Sequence, residues 1–439
     1  MKPRLWIFLF LIIQISADSS DESSEENEFA DSNYKGDSIP TSFIDNAFNN
    51  RRTFQCQLIK NALKSGDSGA NISPEDISIV AAMGDALSTG VGLWSGSEIE
   101  FRGAAFTVGG DATIDGLVTL PNILQQFSPD LEGMSHGMGA VDQLPYNQFN
   151  VARTGAETDH MDSQAADLVE RIRQKYTDIE ERWVLVFITV GTEEMCAKCD
   201  MPNMDKLRKA IIILKRALPK VLVVLVGPVH VARSSHLNYN LLKPRCKCLE
   251  PLTNGQLRQL QQKWAEEFLR LEAEFTIRNY TTFTLLTLPD LKIESRKPEQ
   301  LFVPGKPLLN RKGHTYAAKW LWNRMIAGPK YNASVIPLSE DSYYCPPVGC
   351  PYFRTPANFA NCTIMTLDEF NRRQDEKRTT PTLILTGVDD RRRSIREHVV
   401  LYVIGPVLLS GATVVILGTV FYCHGMKQTK GRFENAPGV

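Results

Sequence analysis

Short apolar runs rich in β-branched residues recur along the chain, at Ile77–Ala82, Phe149–Gly155 with its loop, Trp183–Val190, Val221–Val226 and Thr281–Leu288. Runs of this length without polar alternation predict strands buried on both faces, as in a parallel sheet. Between them the apolar positions change to helical spacing. Met161–Tyr176 carries Leu168, Ile172 and Tyr176 on one face. Met204–Leu218 carries Leu207, Ala210, Ile211, Leu214 and Leu218, and Leu257–Arg278 is a long amphipathic segment. Alternation of strand and helix from residue 76 to about 330 predicts an α/β domain, a three-layer doubly wound parallel sheet. The first run ends in Met83-Gly84-Asp85, a sharp turn ahead of a helix, and in open α/β sheets such strand ends carry the sites.

The chain ends follow other patterns. Residues 1–17 have Lys2 and Arg4, an apolar core and Ser16-Ala17, which reads as a cleaved signal peptide. Residues 18–50 are Ser- and acid-rich and read as a disordered linker. Residues 51–330 hold the α/β domain, 331–372 a Cys-containing closing strap and 373–398 a charged stalk. Val399–Tyr422 bears no charge and reads as one transmembrane helix, leaving 423–439 as a cytoplasmic tail. The expectation is a type I, single-pass protein of the plasma membrane or a secretory membrane, its bulk extracellular or luminal. The arginines at 391, 392, 393 and 396 sit on the outer flank, against the usual positive-inside bias.

Charged residues make up 23% of the chain and the formal net charge is −1, so nothing points to a nucleic-acid partner. Eight cysteines precede the apolar span, an even number that suits disulfides: Cys56, Cys196, Cys199, Cys246, Cys248, Cys345, Cys350 and Cys362. Cys196–Cys199 and Cys345–Cys350 are sequence-close candidate pairs. Zinc held by the CxxC and CxC turns is the weaker reading, and no metal or cofactor is expected. Cys423 is a candidate for lipidation. Glycosylation sequons stand at Asn71, Asn279, Asn332 and Asn361.

The stretch Val80–Ser88, VAAMGDALS, resembles the Gly-Asp-Ser-Leu motif of the GDSL (SGNH) lipases and esterases, in their phospholipase B-like branch. Gly109–Leu124, GGDATIDGLVTLPNIL, is similar to a stretch of that branch. So are Lys312-Gly313-His314, Leu321-Trp322-Asn323-Arg324-Met325 and Tyr344–Thr355. The resemblance covers about residues 52–360 and implies the SGNH hydrolase fold, flavodoxin-like. It also implies where the chemistry would sit. Ala86 stands at the serine nucleophile, Gly155 at the glycine whose N–H lines the oxyanion hole, and Glu193 at the hole's asparagine. Gly305 and Leu308 stand at the Asp and His of the triad, and no histidine occurs between His236 and His314.

The vestigial cleft is therefore expected at Gly84, Asp85, Ala86, Gly155, Glu193 and Leu308, with no intact catalytic residue. Ser88, His230 and His314 read as structural residues. Asp85, Glu193 and Glu194 offer three carboxylates for a cation site, a reading that ranks below the structural one. The expected function is a membrane-anchored pseudoenzyme that binds a phospholipid or acyl ligand, or an extracellular protein partner. The alternatives are an active phospholipase or lipid esterase, and an adhesion or structural ectodomain.

Overall fold

The computed structural model describes residues 41–44, 47–60, 63–94, 96–234, 236–331, 343–366 and 409–422. The signal peptide, most of the acidic linker, Asn332, the stalk, residues 399–408, Cys423 and the tail lie outside the described residues. The chain divides into a unit ending at Leu367 and a second unit of residues 368–439. In the second, residues 409–422 are helical and exposed along their length. Among the described residues no helix is long and apolar enough to cross a membrane.

The first unit is built on strands β1 (Thr41–Ile44), β2 (Ala47–Phe48), β3 (Ile77–Gly84), β4 (Trp183–Thr189), β5 (Val221–Val226), β6 (Val229–Arg233), β7 (Phe283–Leu288), β8 (Leu291–Ser295), β9 (Tyr343–Tyr344) and β10 (Thr363–Thr366). Its helices are α1 (Ala86–Thr89), α2 (Leu120–Leu124), α3 (Met161–Lys175), α4 (Thr192–Lys198), α5 (Met204–Ala217), α6 (Asn254–Ile277) and α7 (Arg311–Ala327). The central sheet runs β3-β4-β5-β7, all parallel. Every residue of β4, β5 and β7 is buried, so both sheet faces are covered. Helix α3 packs on α5 and α5 on α6, forming one set of helices. Helix α7 meets the 101–127 segment instead, through Phe106 on His314 and Phe127 stacked on Trp322.

Most boundaries of the expected strands and helices fall within two or three residues. The end of the linker expected to be disordered over 18–50 is corrected: 41–44 and 47–48 form β1 and β2, each paired with a strand beyond residue 342. The Phe149–Gly155 run is a correction: it forms no regular strand. It lies along the outer edge of β3 through an isolated parallel bridge, Ala82 with Asn150. Ala82 N–H donates to the Phe149 carbonyl at 2.8 Å and Val151 N–H to the Ala82 carbonyl at 2.9 Å. Earlier along the same edge, Val80 N–H donates to the Glu132 carbonyl at 2.9 Å. Two short extended pieces thus share one edge, and neither is long enough to be a strand.

The disulfides join Cys56–Cys345, Cys196–Cys246 and Cys199–Cys248. The sequence-close pairs Cys196–Cys199 and Cys345–Cys350 are not formed. Cys196 and Cys199 lie one turn apart on the α4 end, and each reaches across to the CKC loop. That pairing also removes the zinc reading, since all four thiols are consumed.

Candidate functional site

The carboxyl end of β3 turns sharply because Gly84 takes φ +127°, and a Cβ there would fall 1.8 Å from the Thr189 carbonyl oxygen of β4. Only glycine lets the two strands close at this point. Gln164 of α3 holds the turn by both ends of its amide, accepting from Gly84 N–H at 2.6 Å and donating to the Gly84 carbonyl at 3.1 Å. Asp85 then caps α1, its Oδ1 accepting from Leu87 N–H at 3.1 Å. Burial, with Glu193 nearby, pushes the Asp85 carboxyl well above the usual carboxylate range.

Ala86 opens α1 and is 3% exposed. Its backbone N–H donates to Glu193 Oε2 at 3.1 Å. Gly155 N–H donates to the same oxygen at 2.8 Å. Glu193 comes from the first turn of α4, which follows the carboxyl end of β4 and starts at Gly191. A Cβ on Gly191 would meet the Trp264 ring at 2.4 Å, so this turn too is bound to glycine. Two amide donors converging on one carboxylate oxygen form an oxyanion-hole arrangement filled by the chain's own side chain. Burial raises the Glu193 carboxyl, while the two N–H donors act the other way. Its neighbour Glu194 is buried, accepting from Thr158 N–H and Oγ1, both at 2.9 Å.

A sequence profile of GDSL-like lipases and acylhydrolases matches residues 80–321. The chain belongs to that family. Membrane-associated phospholipase B1 of Mus musculus is 28% identical over 326 residues, covering 65% of this chain and 22% of that protein. The proteins of that name from Rattus norvegicus and Homo sapiens are 27% and 26% identical, with the same coverage. The match therefore spans about a fifth of these relatives' length, 22%.

Within this family frame, direct hydrogen bonds bring Ala86, Gly155 and Glu193 together. No described hydrogen bond joins Leu308 to them; it lies on a cleft that adjoins the site at Thr154, next to Gly155. The tight turn over 302–309, closed by Val303 N–H on the Leu308 carbonyl at 2.8 Å, sets Leu308 against Gly92. Leu308 thereby lines a cleft of ≈ 1040 Å³ with Val91, Ile99, Glu100, Met138, Thr154 and Val303. Gly305 lies exposed at the turn's tip, at φ +69° with nothing near a would-be Cβ. No described contact joins it to the other three.

The remaining polar candidates are held elsewhere. Ser88 Oγ is fully buried between Thr189 Oγ1 at 2.8 Å and Thr107 Oγ1 at 3.0 Å. His314 is buried in α7, and burial pushes its imidazole down to about 3. His230 lies within β6, its Nε2 3.0 Å from the Leu237 carbonyl and its Nδ1 3.2 Å from the Gln261 amide. Glutamates 193 and 194 do not face solvent together, as a cation site would need. Among the described residues no group of three or more His, Cys, Asp or Glu could hold a metal ion.

Sequence reasoning missed three positioning residues. Gln164 sits on the apolar stripe that Leu168 and Ile172 continue, and a polar residue on such a stripe is the available signal. Arg102 is fully buried and donates to the carbonyls of Gly139 at 2.8 Å, Asn150 at 3.1 Å and Ala152 at 2.8 Å, bracing the strand edge that delivers Gly155. Thr158, bound by Glu194, left no sequence signal. Of the sequons, Asn279 and Asn361 are exposed, whereas Asn71 Oδ1 accepts from Ser68 N–H at 2.8 Å.

Proposed function

We propose that this chain is a catalytically silent member of the GDSL-like family that binds a phospholipid or acyl ligand beside the former site. One observation carries the reading: Glu193, standing where the hole's asparagine would donate, instead takes the Gly155 and Ala86 N–H groups on its own Oε2. An ester substrate would have to displace a half-buried carboxylate held by two amides and then face Ala86, whose methyl group cannot attack. Losing one oxyanion donor typically costs 10²–10³ in rate, and here both are engaged. The replacements at Gly305 and Leu308 leave no acid–base pair to activate a nucleophile.

The binding half of the reading is supported by the cleft, which keeps apolar walls at Val91, Ile99, Met138, Val303 and Leu308 and a volume in the range of ligand pockets. Membrane anchoring by a span over 399–422 after a cleaved signal peptide belongs to the same proposal. It is supported by the uncharged run and by the membrane association that the relatives' names state. The cysteine at 423, at the edge of that span, is the proposed lipidation site.

The test uses detergent-solubilised full chain with a fluorophosphonate probe, followed by mass spectrometry of co-purifying lipids. The expected result is no covalent labelling together with a reproducible acyl-chain lipid. Labelling at any serine would overturn the silent reading. Absence of lipid after gentle extraction, with no binding of added lysophospholipid, would overturn the ligand reading and favour a protein partner.

A further inference from the structure

The three disulfides leave two described cysteines, Cys350 and Cys362, and these are not cross-linked. Both are buried, and they form a small apolar cluster of their own with Ile44 and Ile364, apart from the main core. Their thiols share a hydrogen bond. Arg354 straddles the pair, Nη1 donating to Cys350 Sγ at 3.3 Å and Nη2 to the Cys362 carbonyl at 2.5 Å. The cluster clasps the start of the described chain. Cys362 immediately precedes β10, which pairs in parallel with β1 in the register Ser42 with Ile364. A Cβ on Gly349 would fall 2.2 Å from Ser42 Oγ, so the cysteine loop closes directly on β1.

We propose that Cys350 and Cys362 are a redox couple that closes to a fourth cross-link and locks β1 onto β10. The geometry is that of a pair one oxidation from a bond: two hydrogen-bonded thiols in one buried cluster, with a guanidinium beside them. The same contact splits the two thiols. The hydrogen bond from Cys350, with Arg354 adding to it, pulls Cys362 down to about 7, and Cys350 is pushed up. Cys362 is thus the attacking thiolate.

The oxidant class is a disulfide, here oxidised glutathione. Local opening of the β1–β10 pairing exposes Cys362, whose thiolate attacks one sulfur of that disulfide and expels one glutathione thiolate, which takes up the proton that Cys362 lost. Cys350 then attacks Cys362 Sγ of the mixed disulfide. The second glutathione leaves with the Cys350 proton, so one disulfide and two thiols become one new disulfide and two glutathione thiols. Arg354, bonded to Cys350 Sγ and to the Cys362 carbonyl, also holds the opened pair in place, and this cross-link is expected to open before the other three.

The test equilibrates the full chain in detergent across glutathione buffers from oxidised to reduced, quenches with acid, alkylates and maps the peptides. In oxidised buffer the expected product is a Cys350–Cys362 linked peptide. That link opens at a ratio where Cys56–Cys345, Cys196–Cys246 and Cys199–Cys248 stay closed. On opening, amide exchange at residues 42–44 accelerates by about tenfold or more, and the Cys350→Ser variant, if it folds, loses that redox response. Two alkylated thiols after oxidised buffer would overturn the proposal. So would a link that opens with or after the others, or exchange at 42–44 that ignores the redox state.

Discussion

Glu193 Oε2 receives one hydrogen bond from each of two backbone amides, and burial raises its carboxyl above the ordinary value of 4.5. A raised carboxyl means that the folded state holds this proton more tightly than the unfolded state. Its contribution to stability is then greatest at low pH and is lost as pH climbs from about 4.5 through the raised folded value. Glu193→Gln keeps an amide oxygen for both donors and carries no charge. It should melt a few °C higher than the wild type at pH 7, with the difference closing near pH 4, as read by thermal unfolding at both pH values. A variant that melts lower at pH 7 would mean that the ionised carboxylate stabilises the loop. Ala86→Ser alone should remain at background in an ester-release assay, because catalytic groups act as a unit and the donors stay occupied. At the residue level part of the motif was legible: hydrogen bonds join Ala86, Gly155 and Glu193, three positions that the resemblance names. What spacing could not show is that Glu193 turns inward onto the donors. That depends on the helix following Gly191 and on the approach of the 155 loop, neither of which a local pattern encodes.

At the level of elements, the buried strands declared themselves because runs such as Val221–Val226 are apolar on both faces. The Phe149–Gly155 run misled because its composition is that of a strand while the partner edge is shared with Glu132. Cysteine pairing was also illegible: the CxxC and CxC turns pair with each other across the fold, and sequence distance carries no information about that. The turn at Gly84 gives the sharpest element-scale prediction. Gly84→Ala places a methyl 1.8 Å from the Thr189 carbonyl oxygen at a positive φ, and β3 must separate from β4 to admit it. The expected loss is about 3 kcal/mol or more, seen as a collapse of soluble yield or of the unfolding midpoint. A Gly305→Ala control meets no neighbour, although its positive φ still adds about 1 kcal/mol of strain. Equal effects at the two sites would contradict the packing account.

For the whole molecule, the first unit presents a family domain in which Glu193 accepts from the Ala86 and Gly155 amides, and the span proposed over 399–422 would place that domain outside the cytosol. Protease added to intact cells should remove the domain and spare a tag after Val439; the reverse pattern would overturn the topology. The central claim is that the domain does not turn over esters. Its most direct measurement is phospholipid and short-chain ester release by the purified wild type, run beside the quadruple variant Ala86→Ser, Glu193→Asn, Gly305→Asp, Leu308→His. The account predicts background release by the wild type at every pH from 5 to 9, whatever the quadruple variant does. Saturable turnover by the wild type that survives purification to homogeneity would contradict it.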